Sequence, residues 1–116
     1  MMTVTIYHNP RCSKSRQTLA LIEEKGIVPN IIEYLKEGPD AQTLKRVLKK
    51  LGKSPHDILR KGEQAYKDLN LADATKSDDE LIAAMVAHPI LIERPIVIAG
   101  EKAALGRPPE QVLDIL

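Results

Sequence analysis

The fold is decided by residues 3–35, TVTIYHNPRCSKSRQTLALIEEKGIVPNIIEYL. Thr3–Tyr7 is short, alternating and β-branched, which is typical of a strand, and the His-Asn-Pro that follows is a turn signal. A helix is predicted to begin near Ser13–Ser15, because serine is a good N-cap, and to end at Gly26. Asn30–Leu35 is predicted as a second strand. A strand-helix-strand order implies two parallel strands joined by a right-handed crossover.

The rest of the chain predicts several helices and a closing hairpin. The expected elements are a helix capped by Asp40 and ended by Gly52, a short helix from Ser54-Pro55 through Arg60, a helix begun by the capping box Ser77–Glu80, a hairpin of Ile96–Ala99 and Lys102–Leu105, and a last helix opened by Pro108-Pro109. The hairpin adds antiparallel strands to the parallel pair. We therefore predict one α/β domain over residues 1–116, thioredoxin-like, with a four-stranded mixed sheet, flanking helices and a helical insert at about 41–88.

Charge and composition exclude several classes of function. The 116 residues include 17 Lys and Arg and 16 Asp and Glu, so nothing in the net charge favours nucleic acid or an anionic membrane as a partner. No apolar run approaches the ~20 residues of a membrane span, and the N-terminus does not resemble a signal peptide. A single cysteine excludes an internal disulfide. Together these features predict a cytoplasmic protein.

The one cysteine, Cys12, lies in the turn between the first strand and the first helix, among Arg11, Lys14 and Arg16. Sheets of α/β proteins bind ligands outside the carboxyl ends of their strands. A helix N-terminus attracts anions, and the same field, with nearby cations, favours the thiolate form of a cysteine. The pattern predicts a nucleophile that attacks either the central atom of a tetrahedral oxyanion or a disulfide.

Each residue of this turn also has a simpler interpretation. Cys12 could be a small buried apolar residue, Ser15 a helix cap rather than a hydrogen-bond donor to the thiolate, and His8 a turn residue rather than a proton carrier. The spacing excludes two thiol motifs. Arg16 follows the cysteine after three residues rather than the five of a tyrosine phosphatase loop, and position 15 is not the second cysteine of C-x-x-C.

Three arginines stand at predicted element boundaries: Arg60 in ILRKG, Arg94 in IERPIVI and Arg107 in LGRPP. A guanidinium group matches a tetrahedral oxyanion with two parallel hydrogen bonds. Taken singly, each arginine is more typical of a solvated surface than of a ligand site. The Arg94-Pro95 bond is a candidate cis peptide. No spacing of cysteine, histidine and carboxylate residues predicts a metal site.

Three segments, HNPRCSKSRQTL at 8–19, HPILIERPIVI at 88–98 and GRPPEQVLDIL at 106–116, resemble the glutaredoxin-dependent arsenate reductases. The resemblance extends over essentially the whole chain and implies a thioredoxin-like fold. It also implies that Cys12 is the nucleophile, that His8 assists the thiolate, that Arg60, Arg94 and Arg107 hold the oxyanion, and that Pro95 is cis. From the residues themselves, Ser15 is expected to assist the thiolate, with Asn9, Lys14 and Arg16 supporting the site. The chain departs from the Cys-Gly-Thr-Ser of well-studied members, because Ser13 and Lys14 follow the cysteine. A serine there limits positive φ.

The mechanism implied by the resemblance begins with attack of the Cys12 thiolate on arsenate, which forms a cysteine–arsenate adduct and releases water. Because the chain has no second thiol, an external thiol must resolve the adduct. Glutathione is expected as co-substrate and glutaredoxin as partner, with no bound cofactor. Three alternatives stay open: a glutathione-dependent thiol oxidoreductase on another substrate, a non-catalytic redox regulator of the same fold that binds RNA polymerase, and an anion-binding protein without catalysis.

Overall fold

Four strands form one mixed sheet in the computed structural model, which describes residues 3–73, 75–93 and 95–116. The strands are β1 Val4–Tyr7, β2 Asn30–Ile32, β3 Ile96–Ala99 and β4 Lys102–Leu105, in the order β2-β1-β3-β4. β1 pairs in parallel with β2 and antiparallel with β3, which pairs antiparallel with β4. The predicted thioredoxin-like, four-stranded mixed sheet is confirmed.

The chain divides into two compact units. The first consists of Met1–Glu37 and Arg94–Leu116, and it contains the sheet; the second is Gly38–Glu93. The predicted helical insert at 41–88 falls within this second unit. That the whole chain acts as one domain stays a prediction.

In the first unit, helix α1, Ser13–Glu24, follows β1 and packs against a C-terminal 3-10 helix, Pro109–Ile115. Its N-cap is Cys12 rather than a serine, and its C-terminal turn leads to Gly26 at φ 76°. The core consists of apolar side chains from β1, α1, β3 and the 3-10 helix: Val4, Ile6, Ile22, Val97, Ala99 and Val112. The predicted last helix is therefore present, although its hydrogen bonding is of the 3-10 type.

The strand predicted over Asn30–Leu35 is shorter in the structure, because β2 ends at Ile32. The backbone N–H groups of Lys36 and Glu37 both donate to the carbonyl of Glu33, at 2.9 and 3.0 Å. These two bonds close a turn, and a chain that turns cannot continue the ladder with β1. The turn faces the loop after β1, since β1 and β2 are parallel neighbours.

The second unit is helical in its described residues. It contains α2 Ala41–Leu51, α3 Gln64–Asp68 and α4 Asp78–Ala87, with 3-10 helices at Pro55–Ile58 and Pro89–Leu91. Asp40 caps α2 by accepting the Thr43 N–H at 2.8 Å, and Gly52 ends it at φ 67°. Ser77 and Glu80 form the predicted capping box of α4. The helix α3 was not predicted, since none of its residues is buried. No helix in the described part of the chain is long and apolar enough to cross a membrane.

Candidate functional site

The loop after β1 is a tightly hydrogen-bonded turn that sets the position of Cys12. The His8 N–H donates to the Ile32 carbonyl at 2.8 Å, which holds the start of the loop to the end of β2. Asn9, which is buried, accepts the Cys12 N–H on its carbonyl and the Arg11 N–H on its side-chain oxygen, both at 3.0 Å. The half-buried Cys12 then has extended backbone, φ −94° and ψ 123°, directly before α1. Asn9, predicted as a supporting residue, thus organises the turn.

Ser15 ties this turn to the first turn of α1. Its side chain has no exposed surface, and its hydroxyl oxygen accepts the Asn9 N–H at 3.0 Å. The same oxygen lies 2.7 Å from Nδ1 of the buried His8. The interpretation of Ser15 as a helix cap is wrong, because Cys12 occupies the N-cap position. The structure therefore brings three predicted site residues, His8, Asn9 and Ser15, into contact around one hydroxyl group.

His8 has an environment that disfavours its charged form. Burial lowers the pKa of His8 below its usual 6.5; the nearby Glu33 carboxylate opposes this shift, and the Arg16 guanidinium adds to it. At neutral pH the imidazole is therefore neutral. A neutral imidazole can take up or pass on a proton, but it supplies no positive charge to stabilise a thiolate. Glu33 was not predicted as a site residue. Its carboxylate acts on His8 because β2, which directly precedes Glu33, is the parallel neighbour of β1.

Of the three cationic residues predicted around Cys12, only Arg16 has a side-chain hydrogen bond within the described part of the loop. Arg16 Nη1 donates to the Pro10 carbonyl at 2.9 Å, so its guanidinium braces the turn. The carbonyl of Lys14 accepts the hydroxyl of Thr18 at 2.8 Å, while Lys14 as a whole is exposed. Arg11 is exposed as well. Arg16 therefore has a structural contact within the loop, whereas Arg11 and Lys14 leave their charges at the surface.

Arg107 follows a glycine that is packed against α1. The Gly106 N–H donates to the Pro95 carbonyl at 2.9 Å. A Cβ atom at Gly106 would lie 2.5 Å from Thr18 Oγ1 and 2.6 Å from Pro95 Cγ, so only a glycine fits this contact. The Arg107-Pro108 peptide bond is cis. Sequence reasoning missed Gly106 and Thr18; a glycine between a strand end and Arg-Pro-Pro is the one signal that the sequence offers for them.

Of the remaining two predicted arginines, the structure describes Arg60 but not Arg94. Arg60, in the second unit, is engaged by carboxylates: its Nε lies 3.2 Å from Glu63 Oε1, and its Nη1 lies 3.6 Å from Glu93 Oε1. An oxyanion would have to compete with these carboxylates for the guanidinium. Arg94, with the predicted cis bond to Pro95, lies outside the described residues. The roles of Arg60, Arg94 and Arg107 in holding an oxyanion stay predictions.

Comparison with known proteins agrees with the fold. The chain matches the ArsC family model over residues 7–115. It is 52% identical over 116 residues to the arsenate reductase of Haemophilus influenzae, covering 99% of this chain and 100% of that protein. It is 55% identical over 114 residues to the uncharacterized protein YfgD of Escherichia coli, covering 97% of this chain and 96% of that protein.

A solved structure shows the same likeness in three dimensions. The arsenate reductase from Vibrio cholerae superimposes with a TM-score of 0.97 at 55% identity, covering 99% of this chain and 98% of that chain. Similarity at this level extends over the sheet, the helical unit and the Cys12 loop together. From the family match over nearly all of its length and these full-length likenesses, we conclude that the chain belongs to the ArsC family.

Proposed function

We propose that this protein reduces arsenate to arsenite, with Cys12 as the nucleophile, glutathione as the thiol that resolves the adduct and glutaredoxin as the protein that regenerates the thiol. One observation carries the proposal. The only cysteine of the chain is held at the N-cap of α1 by a buried hydrogen-bonded turn. The proteins named arsenate reductase that share this full-length sequence similarity supply the substrate class.

The first step is substitution at arsenic. The Cys12 thiolate forms a bond to arsenic, and one arsenate oxygen, after protonation, leaves as water. Arsenic keeps its +5 state, and the product is a cysteine–arsenate adduct. The backbone N–H groups at the start of α1 favour the negative charge on the arsenate oxygens. We expect Arg107 and Arg94 to add charge-assisted hydrogen bonds there, and Arg60 to do so after exchanging its carboxylate partners.

The second step transfers two electrons. The thiol of glutathione attacks the Cys12 sulfur, the sulfur–arsenic bond breaks, and its electron pair stays on arsenic. Arsenic is thereby reduced to the +3 state and leaves as arsenite with the thiol proton. Cys12 and glutathione are left as a mixed disulfide. Glutaredoxin then reduces this disulfide by thiol exchange. Because this route consumes reduced glutathione, it requires a reducing compartment such as the predicted cytoplasm.

The test is arsenate-dependent oxidation of NADPH in an assay that couples the protein to glutathione, glutaredoxin and glutathione reductase. We expect turnover with the native chain, and a fall to background with Cys12→Ser, because a hydroxyl is not a comparable nucleophile at neutral pH. Circular dichroism checks that the variant keeps the fold. Turnover that persists in Cys12→Ser would remove this thiol from the mechanism.

Parallel assays of turnover and of arsenate binding separate two of the alternatives. The departure at Ser13 and Lys14 changes the residues next to the nucleophile, so other acceptors are assayed in parallel. Reduction of a glutathione mixed disulfide without arsenate turnover would identify a thiol oxidoreductase on another substrate. Binding of arsenate without turnover would identify an anion-binding protein. Either result would contradict the proposed arsenate reductase.

A further inference from the structure

A cleft opens beside the Cys12 loop in the first unit. It has a volume of about 270 Å³ and lies between the loop after β1 and the turn after β2. The first wall is formed by residues 8–11, immediately before the cysteine, and the second by the turn that follows Ile32. The cleft therefore lies along the loop that positions Cys12.

Three charged side chains line this cleft: Arg11, Glu33 and Lys36. Arg11 is exposed, and none of the ion pairs among the described residues involves it. Lys36 Nζ lies 3.7 Å from Glu33 Oε1, and the two side chains are 77% and 42% exposed. An ion pair as exposed as this one contributes little to stability. Either side chain can therefore leave this ion pair and bind a ligand instead, at a small cost in free energy.

The cleft thus offers two cations and one carboxylate, with apolar surface from Pro10 and Leu35 between them. Glutathione has the opposite set of charges: a carboxylate at each end, an ammonium at the γ-glutamyl end and a cysteinyl thiol between them. We infer that this cleft binds the resolving thiol. Arg11 and Lys36 receive the two carboxylates and Glu33 receives the ammonium. The inference rests on the proposed function, since it names the place from which the external thiol attacks the Cys12 sulfur.

The first test compares Michaelis constants in the coupled assay. We expect Arg11→Gln and Lys36→Gln each to raise the KM for glutathione about threefold to tenfold, the effect of losing one partly exposed charge pair. The KM for arsenate should stay unchanged in Lys36→Gln, because Lys36 lies outside the Cys12 loop. The matched control is Lys102→Gln, an exposed lysine of β4 that does not line the cleft. A KM for glutathione that is unchanged in both cleft variants would overturn the inference.

The second test is independent of arsenate chemistry. The ¹⁵N-labelled native protein is titrated with S-methylglutathione, which has the charges of glutathione but no reactive thiol. We expect amide shifts at Arg11, Leu35 and Lys36, and a loss of these shifts in Lys36→Gln. Binding at these amides in a protein that does not turn over arsenate would refute the proposed reaction while supporting the thiol site. Turnover of arsenate with shifts elsewhere, or with none, would overturn the thiol site alone.

Discussion

The Ser15 hydroxyl group forms hydrogen bonds with two residues of the Cys12 loop at once. It accepts the Asn9 N–H and lies 2.7 Å from His8 Nδ1, and no part of its side chain is exposed. Water therefore cannot replace it without a rearrangement. A buried donor or acceptor left without a partner costs more free energy than the hydrogen bond itself contributes.

The first residue-scale prediction concerns this hydroxyl. We expect Ser15→Ala to lower the free energy of unfolding by about 1–3 kcal/mol, since the Asn9 N–H and His8 Nδ1 both lose their partner. Urea denaturation measures the change. Ser13→Ala is the matched control, because Ser13 is exposed at the start of the same helix, and it should change stability by less than about 0.5 kcal/mol. Equal effects of the two substitutions would show that the buried hydroxyl has no special importance.

The second residue-scale prediction is a pH dependence caused by His8. Burial lowers the pKa of His8 in the folded chain, so the unfolded chain binds the proton at higher pH than the folded one. Lowering the pH from about 6.5 toward the folded pKa should therefore reduce stability. Denaturation midpoints between pH 7 and pH 5 should fall less steeply in His8→Gln, which cannot titrate. Identical slopes in the two proteins would assign the pH dependence to other groups.

At the scale of elements, α1 and the segment after β4 meet at a point where no side chain fits. Gly106 occupies this contact beside Thr18 and Pro95, and the residue that follows it is Arg107. The hydrogen bond from the Gly106 N–H to the Pro95 carbonyl fixes the same approach. The course of the chain into Arg107 therefore depends on contact between two elements that are distant in the sequence.

The prediction at this scale is that Gly106→Ala both destabilises the chain and impairs arsenate use. The added methyl group would lie 2.5 Å from Thr18 Oγ1, so either the neighbouring side chains or the backbone must shift. We expect the backbone to shift, at a cost of about 1–3 kcal/mol. The KM for arsenate should rise because Arg107 moves with the backbone. The control is Gly62→Ala, where a Cβ meets nothing within 4 Å. A Gly106→Ala protein with native stability and native KM would contradict this account.

At the scale of the whole molecule, the unit that carries Cys12 is assembled from both ends of the chain. In the β1–β3 ladder Val4 lies opposite Ala99, and Val112 of the terminal 3-10 helix is fully buried in the same core. Such pairing is established only after a long loop has closed, which slows folding. The stability of the Cys12 loop therefore depends on residues at the opposite end of the sequence.

The whole-molecule prediction tests this dependence. We expect Val112→Ala to lower the free energy of unfolding by about 1.5–3 kcal/mol, because a fully buried valine side chain is truncated. The matched control is Val28→Ala in the same unit, where the valine is 95% exposed and the change should stay below about 0.5 kcal/mol. Chemical denaturation measures both variants. A Val112→Ala protein as stable as the control would show that the C-terminal segment contributes little to the core.

Features that depend on neighbouring residues could be predicted from the amino-acid sequence. The helix between Asp40 and Gly52, the capping box at Ser77 and the hairpin about Gly100 formed as predicted, because caps and turns are set by residues within a few positions. The strand-helix-strand order also determined the parallel pair. The position of Cys12 before α1 followed from the same local signals.

Contacts between residues that are distant in the sequence could not be predicted and are known from the folded chain alone. It made Ser15 a buried link between Asn9 and His8 rather than a cap, and it ended β2 at Ile32. It also brought Glu33 near His8, and Gly106 against Thr18. These outcomes depend on which strands become neighbours and on how closely two backbones approach. Neither quantity is encoded in a short stretch of sequence, because both arise when the separated segments pack around a shared core.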